Sequence, residues 1–385
     1  APGPGPTPTD PPVAAPTILT PAERSDLVES LLTDFGSVYT NALNWISNED
    51  TWQPDSSSTN ASQQWIERYV MALFYYQLSG DGWSSNSGWL GSTEICDNWR
   101  GILTCSDGLV TDIDFESFNL KGSLPTEITL LTKLRFFYAK DNAITGTIPS
   151  EIGNIPTLKH LGLSVTSLTG TIPTEIGQLT SLTYLSLRQT YLSGTFPVLP
   201  SSIEHFWLYD TNVGGTVPPS IGQLTNLVTF DAYENEFTGT IPSDLELLTK
   251  VQMFNLFGNK NMDGTIPTTI GFMTEVWEFE VDNMSLTGTI PTEIGLMTKL
   301  KQFHPHDNNL TGPIPTEIGR CSAMTEMRLY DNDLSSSIPT EIGLLTDVAD
   351  LQFHSNKLTG AIPSEIGNLQ ALELLYLDDN DLSSS

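Results

Sequence analysis

The phrase Leu286-Thr-Gly-Thr-Ile-Pro-Thr-Glu-Ile-Gly295 returns in variant form along most of the chain. Its proline falls at Pro125, Pro149, Pro173, Pro197, Pro218, Pro242, Pro267, Pro291, Pro315, Pro339 and Pro363, and eight of the ten intervals are 24 residues, the others being 21 and 25. A unit this short buries an apolar face only against its neighbours, so the chain has to stack into a solenoid. The consensus is Leu-x-x-Leu-x-Leu-x-x-Asn-x-Leu-x-Gly-x-Ile-Pro-x-x-Ile-Gly-x-Leu-x-x, and residues 227–242 are a clear copy. Leu-x-Leu predicts a short strand buried on one face. The asparagine can hydrogen-bond backbone between coils, the glycine permits a bend, and the proline opens a return segment that has no ladder bond to lose. At roughly 4.8 Å per coil, eleven coils predict an arc of roughly 50 Å.

Several coils depart from the consensus. The asparagine position holds Thr166, Thr190, Thr211 and Met284, and Pro200-Ser-Ser replaces the convex stretch in the coil that is three residues short. The coil with Lys260-Asn261 is one residue long, and Pro305 stands at a buried strand position, where it should remove a ladder bond and bend the sheet.

Ahead of the repeats, residues 1–19 are Pro-rich and predict an extended linker. Thr20-Pro-Ala-Glu23 reads as a capped helix start, with Leu27, Leu31, Leu32 and Phe35 on one side of the helix. A short helix at Asn41 to Ser47, a polar loop from Asp50 to Ala61 and a stronger helix from Gln64 to Leu78 follow. The last carries Trp65, Ile66, Tyr69, Val70, Leu73 and Tyr76 at core spacing. Residues 20–93 therefore form a helical region expected to cap the first repeat.

Next come Gly80-Asp-Gly-Trp83, Gly88-Trp-Leu90 and Cys96-Asp-Asn-Trp-Arg-Gly-Ile-Leu-Thr-Cys105. This pattern resembles the N-terminal cap of plant-type extracellular leucine-rich repeat proteins, although that family spaces its cysteines slightly closer. With the preceding Arg68-Tyr-Val-Met-Ala-Leu-Phe-Tyr-Tyr76, it is similar to the secreted or membrane-anchored leucine-rich repeat proteins of diatoms. The resemblance covers residues of about 64 to 385. It implies a Cys96–Cys105 disulfide in a cap at 94–109, followed by repeats at 110–385. The fold it implies is a leucine-rich repeat solenoid, with short parallel β-strands on the concave face and 3-10 or short helices and turns on the convex face. An α-helical, disulfide-containing N-terminal cap would precede it.

Acidic residues outnumber basic ones 46 to 16, for a net charge of −30. Nucleic acid and anionic lipid would be repelled, whereas cations, basic surfaces and neutral glycans would not. No apolar run is long enough to span a membrane. Asn60, Asn283 and Asn309 begin N-glycosylation triplets; together with the paired cysteines they predict an extracellular or cell-surface protein. Asp379 to Ser385 repeat Asp331 to Ser337, after which Ile338-Pro339 follows. Without a polar cap, that end is expected to be covered by more protein, a partner or another copy.

None of the motifs of hydrolytic, metal-dependent or phosphate-handling enzymes occurs, so the chain reads as a binding or structural protein without a cofactor. The informative positions flank the buried strand residues, and all five histidines fall there: His160, His205, His304, His306 and His354. Trp207, Tyr209, Tyr233 and Phe257 form an aromatic patch, with Tyr138 in the same columns, suited to a glycan, peptide or protein. Glu280, Asp282, His304, His306, Asp307, Tyr330 and His354 form a polar cluster expected to face solvent. Glu127, Glu151, Glu175, Glu293, Glu317, Glu341 and Glu365 make a convex acidic ladder with weak Ca²⁺ bridging as its functional reading. Thr145-Gly-Thr147, Thr169-Gly-Thr171, Thr238-Gly-Thr240 and Thr287-Gly-Thr289 make a hydroxyl edge. Three readings follow: a concave-face recognition or adhesion module, a structural component of a wall, coat or filament, and ice binding through the threonines.

Overall fold

The computed structural model describes residues 20–29, 37–54 and 58–383. The Pro-rich stretch and Leu31, Leu32 and Phe35 lie outside them. Thirteen strands form one sheet, from Ile102–Ser106 to Leu374–Tyr376, in the order in which successive coils present them. The first pair is antiparallel and the rest are parallel, with neighbours in register, as in Trp207↔Asp231 and Asp231↔Asn255. The Thr-Gly-Thr segments build narrower side sheets, and 3-10 helices such as Thr292–Leu296 line the convex face. Each begins directly after a proline, which lies in the extended region at Pro291, φ −70°. The Leu, Ile and Phe positions of the consensus fill the space between. In five successive coils the mid-strand residue is Phe206, Phe230, Phe254, Phe279 and Phe303, all fully buried and in ring contact at 5.1–6.2 Å.

Consensus asparagines tie coil to coil. Asn332 Nδ2 donates to the carbonyls of Pro305 at 3.0 Å, Leu329 at 3.1 Å and Tyr330 at 3.2 Å, and its Oδ1 accepts the Leu310 N–H at 2.9 Å. Asn308 and Asn356 repeat the arrangement. At Thr166 and Thr190 only a short local bond remains, as from the Thr190 hydroxyl to the Leu187 carbonyl at 2.9 Å, whereas the Thr211 hydroxyl donates to Asn235 Oδ1 of the next coil. Pro305 costs the expected ladder bond. In the other coils the N–H after the strand meets the next coil's carbonyl, as from Val281 to His304 and from Leu329 to Gln352. Pro305 has no N–H to give, and the ladder between Gln302–His304 and Glu326–Arg328 has two pairs rather than three.

Glycine is required at the bend of the side strands. Gly288 has φ +76°, and a Cβ there would lie 2.8 Å from the Thr265 methyl of the preceding coil. The first threonine of each segment donates its hydroxyl to the previous coil's glycine carbonyl, at 3.2 Å for Thr145 and Thr169, 3.3 Å for Thr238 and 3.0 Å for Thr287.

At the N-terminal end, helix α1 (Pro21–Glu29) opens with the expected reciprocal cap. Thr20 N–H donates to Glu23 Oε2 at 2.7 Å, and Glu23 N–H donates to Thr20 Oγ1 at 3.3 Å. Helix α2 spans Ser37–Asn44 and helix α3 spans Ala61–Gln77. The reading of 50–61 as a polar loop needs correction at its start: Asp50 and Trp52 are buried. Asp50 takes a two-pronged ion pair from Arg68 at 2.6 and 2.8 Å, and Trp45, Trp52 and Trp99 surround the guanidinium. Fully hydrogen-bonded and ring-covered, the pair escapes the penalty of an unpaired buried charge. Cys96 and Cys105 are disulfide-bonded.

Candidate concave recognition surface

The strands place three columns of side chains on the concave face. In the column just past each strand, Tyr209, Tyr233 and Phe257 stack face to face at 4.2 Å with planes 10–11° apart. Beyond one intervening coil, His306, Tyr330 and His354 repeat this at 4.2 and 4.6 Å, with planes 13° and 9° apart. Parallel strands in register bring these rings together, because equivalent positions sit one coil apart, a spacing that allows rings to stack. Arg188 closes one end, its guanidinium lying over Tyr209 and hydrogen-bonding the hydroxyl. The patch was expected to offer ring faces to a ligand. The rings instead cover one another's faces and present their edges.

Nearer the N-terminal end the first two columns merge into an aromatic cluster. The Tyr138 hydroxyl and His160 Nδ1 are 2.5 Å apart, Tyr184 stacks on His160 at 5.2 Å and Trp207 at 4.7 Å, and His205 stacks on Trp207 at 5.3 Å. Burial holds His160 below the usual imidazole range. Tyr184, which sequence reading had not singled out, links Tyr138 to Trp207; Tyr184 occupies the same column as His160 and His205, and that was the available signal.

The middle column corrects a second expectation. His304 is only 4% exposed, and Gly162, Ser186, Asp231 and Asn255 are also buried. Larger side chains on either side, one coil or two residues away, close over them. His304 Nδ1 lies 2.9 Å from Glu280 Oε1 and its Nε2 lies 3.5 Å from Glu326 Oε2. His306 meets Asp307 at 2.9 Å and Asp282 at 3.7 Å, and burial holds its imidazole below the ordinary range.

Glu278, Glu280 and Asp282 cross the concave face on one coil, between the two ring stacks. Burial pushes the Asp282 carboxyl up to about 7, helped by Glu280 and Asp307. Asp231 is likewise raised to about 7 by burial and by Glu278 and Glu280. Glu278 is raised by burial. Among the described residues, no group of three or more His, Cys, Asp or Glu is arranged to hold a metal ion. The convex ladder glutamates accept hydroxyls from the preceding residue, as Glu293 does from Thr292 at 3.3 Å. Asn283 and Asn309 are exposed, and the Asn60 amide donates to the Asp107 carbonyl at 3.2 Å.

Fold and surface together define a leucine-rich repeat solenoid with a disulfide-bonded N-terminal cap and an aromatic and acidic concave face. No protein-family model and no curated protein matches the sequence. Solved structures do match. One is the plant peptide hormone receptor RGFR1 in complex with RGF2, at 33% identity over 71% of this chain and 44% of that one, with TM-score 0.69. Another is PEPR1–AtPEP1, at 29% identity over 82% and 45%, TM-score 0.75. A third is the Arabidopsis receptor kinase HAESA with the peptide hormone IDA and the co-receptor SERK1, at 27% identity over 83% and 54%, TM-score 0.70. The chain spans about half the length of these structures. Among the described residues, no helix is long and apolar enough to cross a membrane.

Proposed function

We propose that the chain is an extracellular or cell-surface recognition module that binds an extended peptide, or a protein segment in that conformation, along its concave face. The observation that carries this is the pair of edge-on ring stacks, Tyr209–Tyr233–Phe257 and His306–Tyr330–His354. Ring edges with hydroxyl and imidazole groups between them suit amide groups and small side chains. A sugar needs an open ring face, which these rings give to each other, so peptide is favoured over glycan. The similarity to the plant peptide hormone receptor RGFR1 and to HAESA in complex with the peptide hormone IDA supports the same reading.

The test is a random-peptide display selection on the full chain, run beside Tyr209→Ala/Tyr233→Ala with its fold checked by circular dichroism. Peptides should be enriched on the first protein and not on the second. Equal enrichment on both, or binding confined to a glycan array, would overturn the reading.

A further inference from the structure

The ring stacks are interrupted at one coil only, where Glu278, Glu280 and Asp282 stand at alternate positions and so point to the same face. Three carboxylates in a line need opposing donors. The protein supplies little. Asn255 Nδ2 donates to Glu278 Oε1 at 2.5 Å, and the ion-pair distances of Glu280 and Asp282 are to His304 and His306. Among the described residues no lysine or arginine forms a salt bridge with Glu278, Glu280, Asp282 or Asp231. Arg188 is held on Tyr209, and Arg328 is held by Glu326 at 2.8 Å and Asp350 at 3.1 Å.

A second, independent observation lies beside the row. Asp231, Asn255 and Glu280 are consecutive register partners in the middle column, projecting on the concave side. Asp231 is 6% exposed and Asn255 3% exposed, and the Oδ1 of each is buried without a hydrogen-bond partner. Buried acceptors in native structures are nearly always paired. Two of them next to three carboxylates form a site that lacks donors. An arginine or lysine side chain brings donors and positive charge together, and guanidinium geometry suits carboxylates best.

We propose that the Glu278–Glu280–Asp282 row, with Asp231 and Asn255 beside it, receives one cationic side chain, arginine above lysine, from the interior of the bound peptide. This rests on the peptide reading above. The row has three ring-bearing coils on either side. At roughly 4.8 Å per coil and 3.4 Å per extended residue, that leaves about four peptide residues on each side of the cation. The ring edges contact the flanking residues, and the acidic row fixes register.

The experiment uses the full chain, immobilised, and four pools of blocked nonapeptides. The central residue is arginine, lysine, citrulline or glutamate, and the flanks are random. The arginine pool should be retained at least about tenfold more than the citrulline pool at low salt, with glutamate lowest. Glu278→Gln/Glu280→Gln, and separately Asp282→Asn in case the double variant unfolds, should reduce that preference while peptides selected through the ring stacks still bind. Equal retention of arginine and citrulline pools would overturn the subsite and leave the peptide reading standing. So would a preference that survives the substitutions, or loss of the arginine pool to spermidine at equal charge. No retention of any pool would overturn both.

Discussion

Replacing Asn332 with alanine should destabilise the protein by about 2–4 kcal/mol, and the hydrogen bonds around it show why the loss is not larger. The three carbonyls served by its Nδ2 each keep another donor. Pro305 keeps Asn308 Nδ2 at 3.2 Å, Leu329 keeps Asn356 Nδ2 at 3.0 Å, and Tyr330 keeps the Asp307 N–H at 3.1 Å. The Leu310 N–H is different. Its acceptor is Asn332 Oδ1 at 2.9 Å, and Leu310 is fully buried. Leaving that donor unpaired costs about 1–3 kcal/mol, and three weakened bonds with a small cavity add about 1 more. Repeat arrays can unfold in parts, so a urea midpoint alone is not decisive. Native-state hydrogen exchange at the Leu310 amide gives the local answer. Full protection of that amide, with a global loss below about 0.5 kcal/mol, would refute the reasoning. Asn380→Ala in the half-buried last coil should lose less, because water can reach the groups it frees.

Three other perturbations have defined outcomes. Burial pushes the Glu67 carboxyl up to about 8, above the ~4.3 of an unfolded chain, so its contribution is full below that value and is lost as pH rises towards 8. Glu67→Gln should therefore flatten the decline in urea stability between about pH 5 and 8; a wild-type-minus-variant difference that does not change with pH would contradict this. Cys96→Ser/Cys105→Ser opens a loop with a sequence separation of 9 and should remove about 2–3 kcal/mol in thermal melts, so an unchanged Tm would count against it. Tyr233→Ala loses ring contacts at 4.2 Å on both sides, worth about 1–3 kcal/mol together. A double-mutant cycle with Phe257→Ala should show coupling, and a coupling of zero would mean that the stack is only a by-product of register.

The fold was readable because the repeated positions are those with one physical solution: the Leu-x-Leu strand, the bridging asparagine, the φ-positive glycine and the proline before each 3-10 helix. The site was readable only as a set of columns. Period and register say which side chains are neighbours, and they placed Tyr209 beside Tyr233 and His306 beside Tyr330. They do not say which way rings turn, so the face-to-face stacking had no signal in the residue types. Nor do they say how deeply a side chain sinks between its neighbours, which is why His304 was taken as solvent-facing. The Asp50–Arg68 pair was missed for a related reason. A charged residue in a polar run reads as loop unless its partner, 18 positions away, is known to arrive beside it.

The irregular coils carry the other half of the argument. Met284 stands where an asparagine would accept an N–H from the coil before it, and in that preceding coil the residue left without such an acceptor is Met262. Met262 is fully buried, yet its N–H is paired with the Asn259 carbonyl at 2.9 Å. That turn exists because the Lys260-Asn261 coil carries one extra residue between the asparagine and the side strand. The two departures from consensus are thus one arrangement: the longer coil satisfies within itself the donor that its neighbour cannot. The exchange also occurs next to the acidic row, since Met284 follows Asp282 by two residues. A coil freed from the asparagine bridge keeps its strand in register, as Glu280↔His304 shows, while its side chains are free to differ from those of the ring-bearing coils. The break in the repeat and the break in the aromatic column therefore fall together, at the coil that carries the proposed cation subsite.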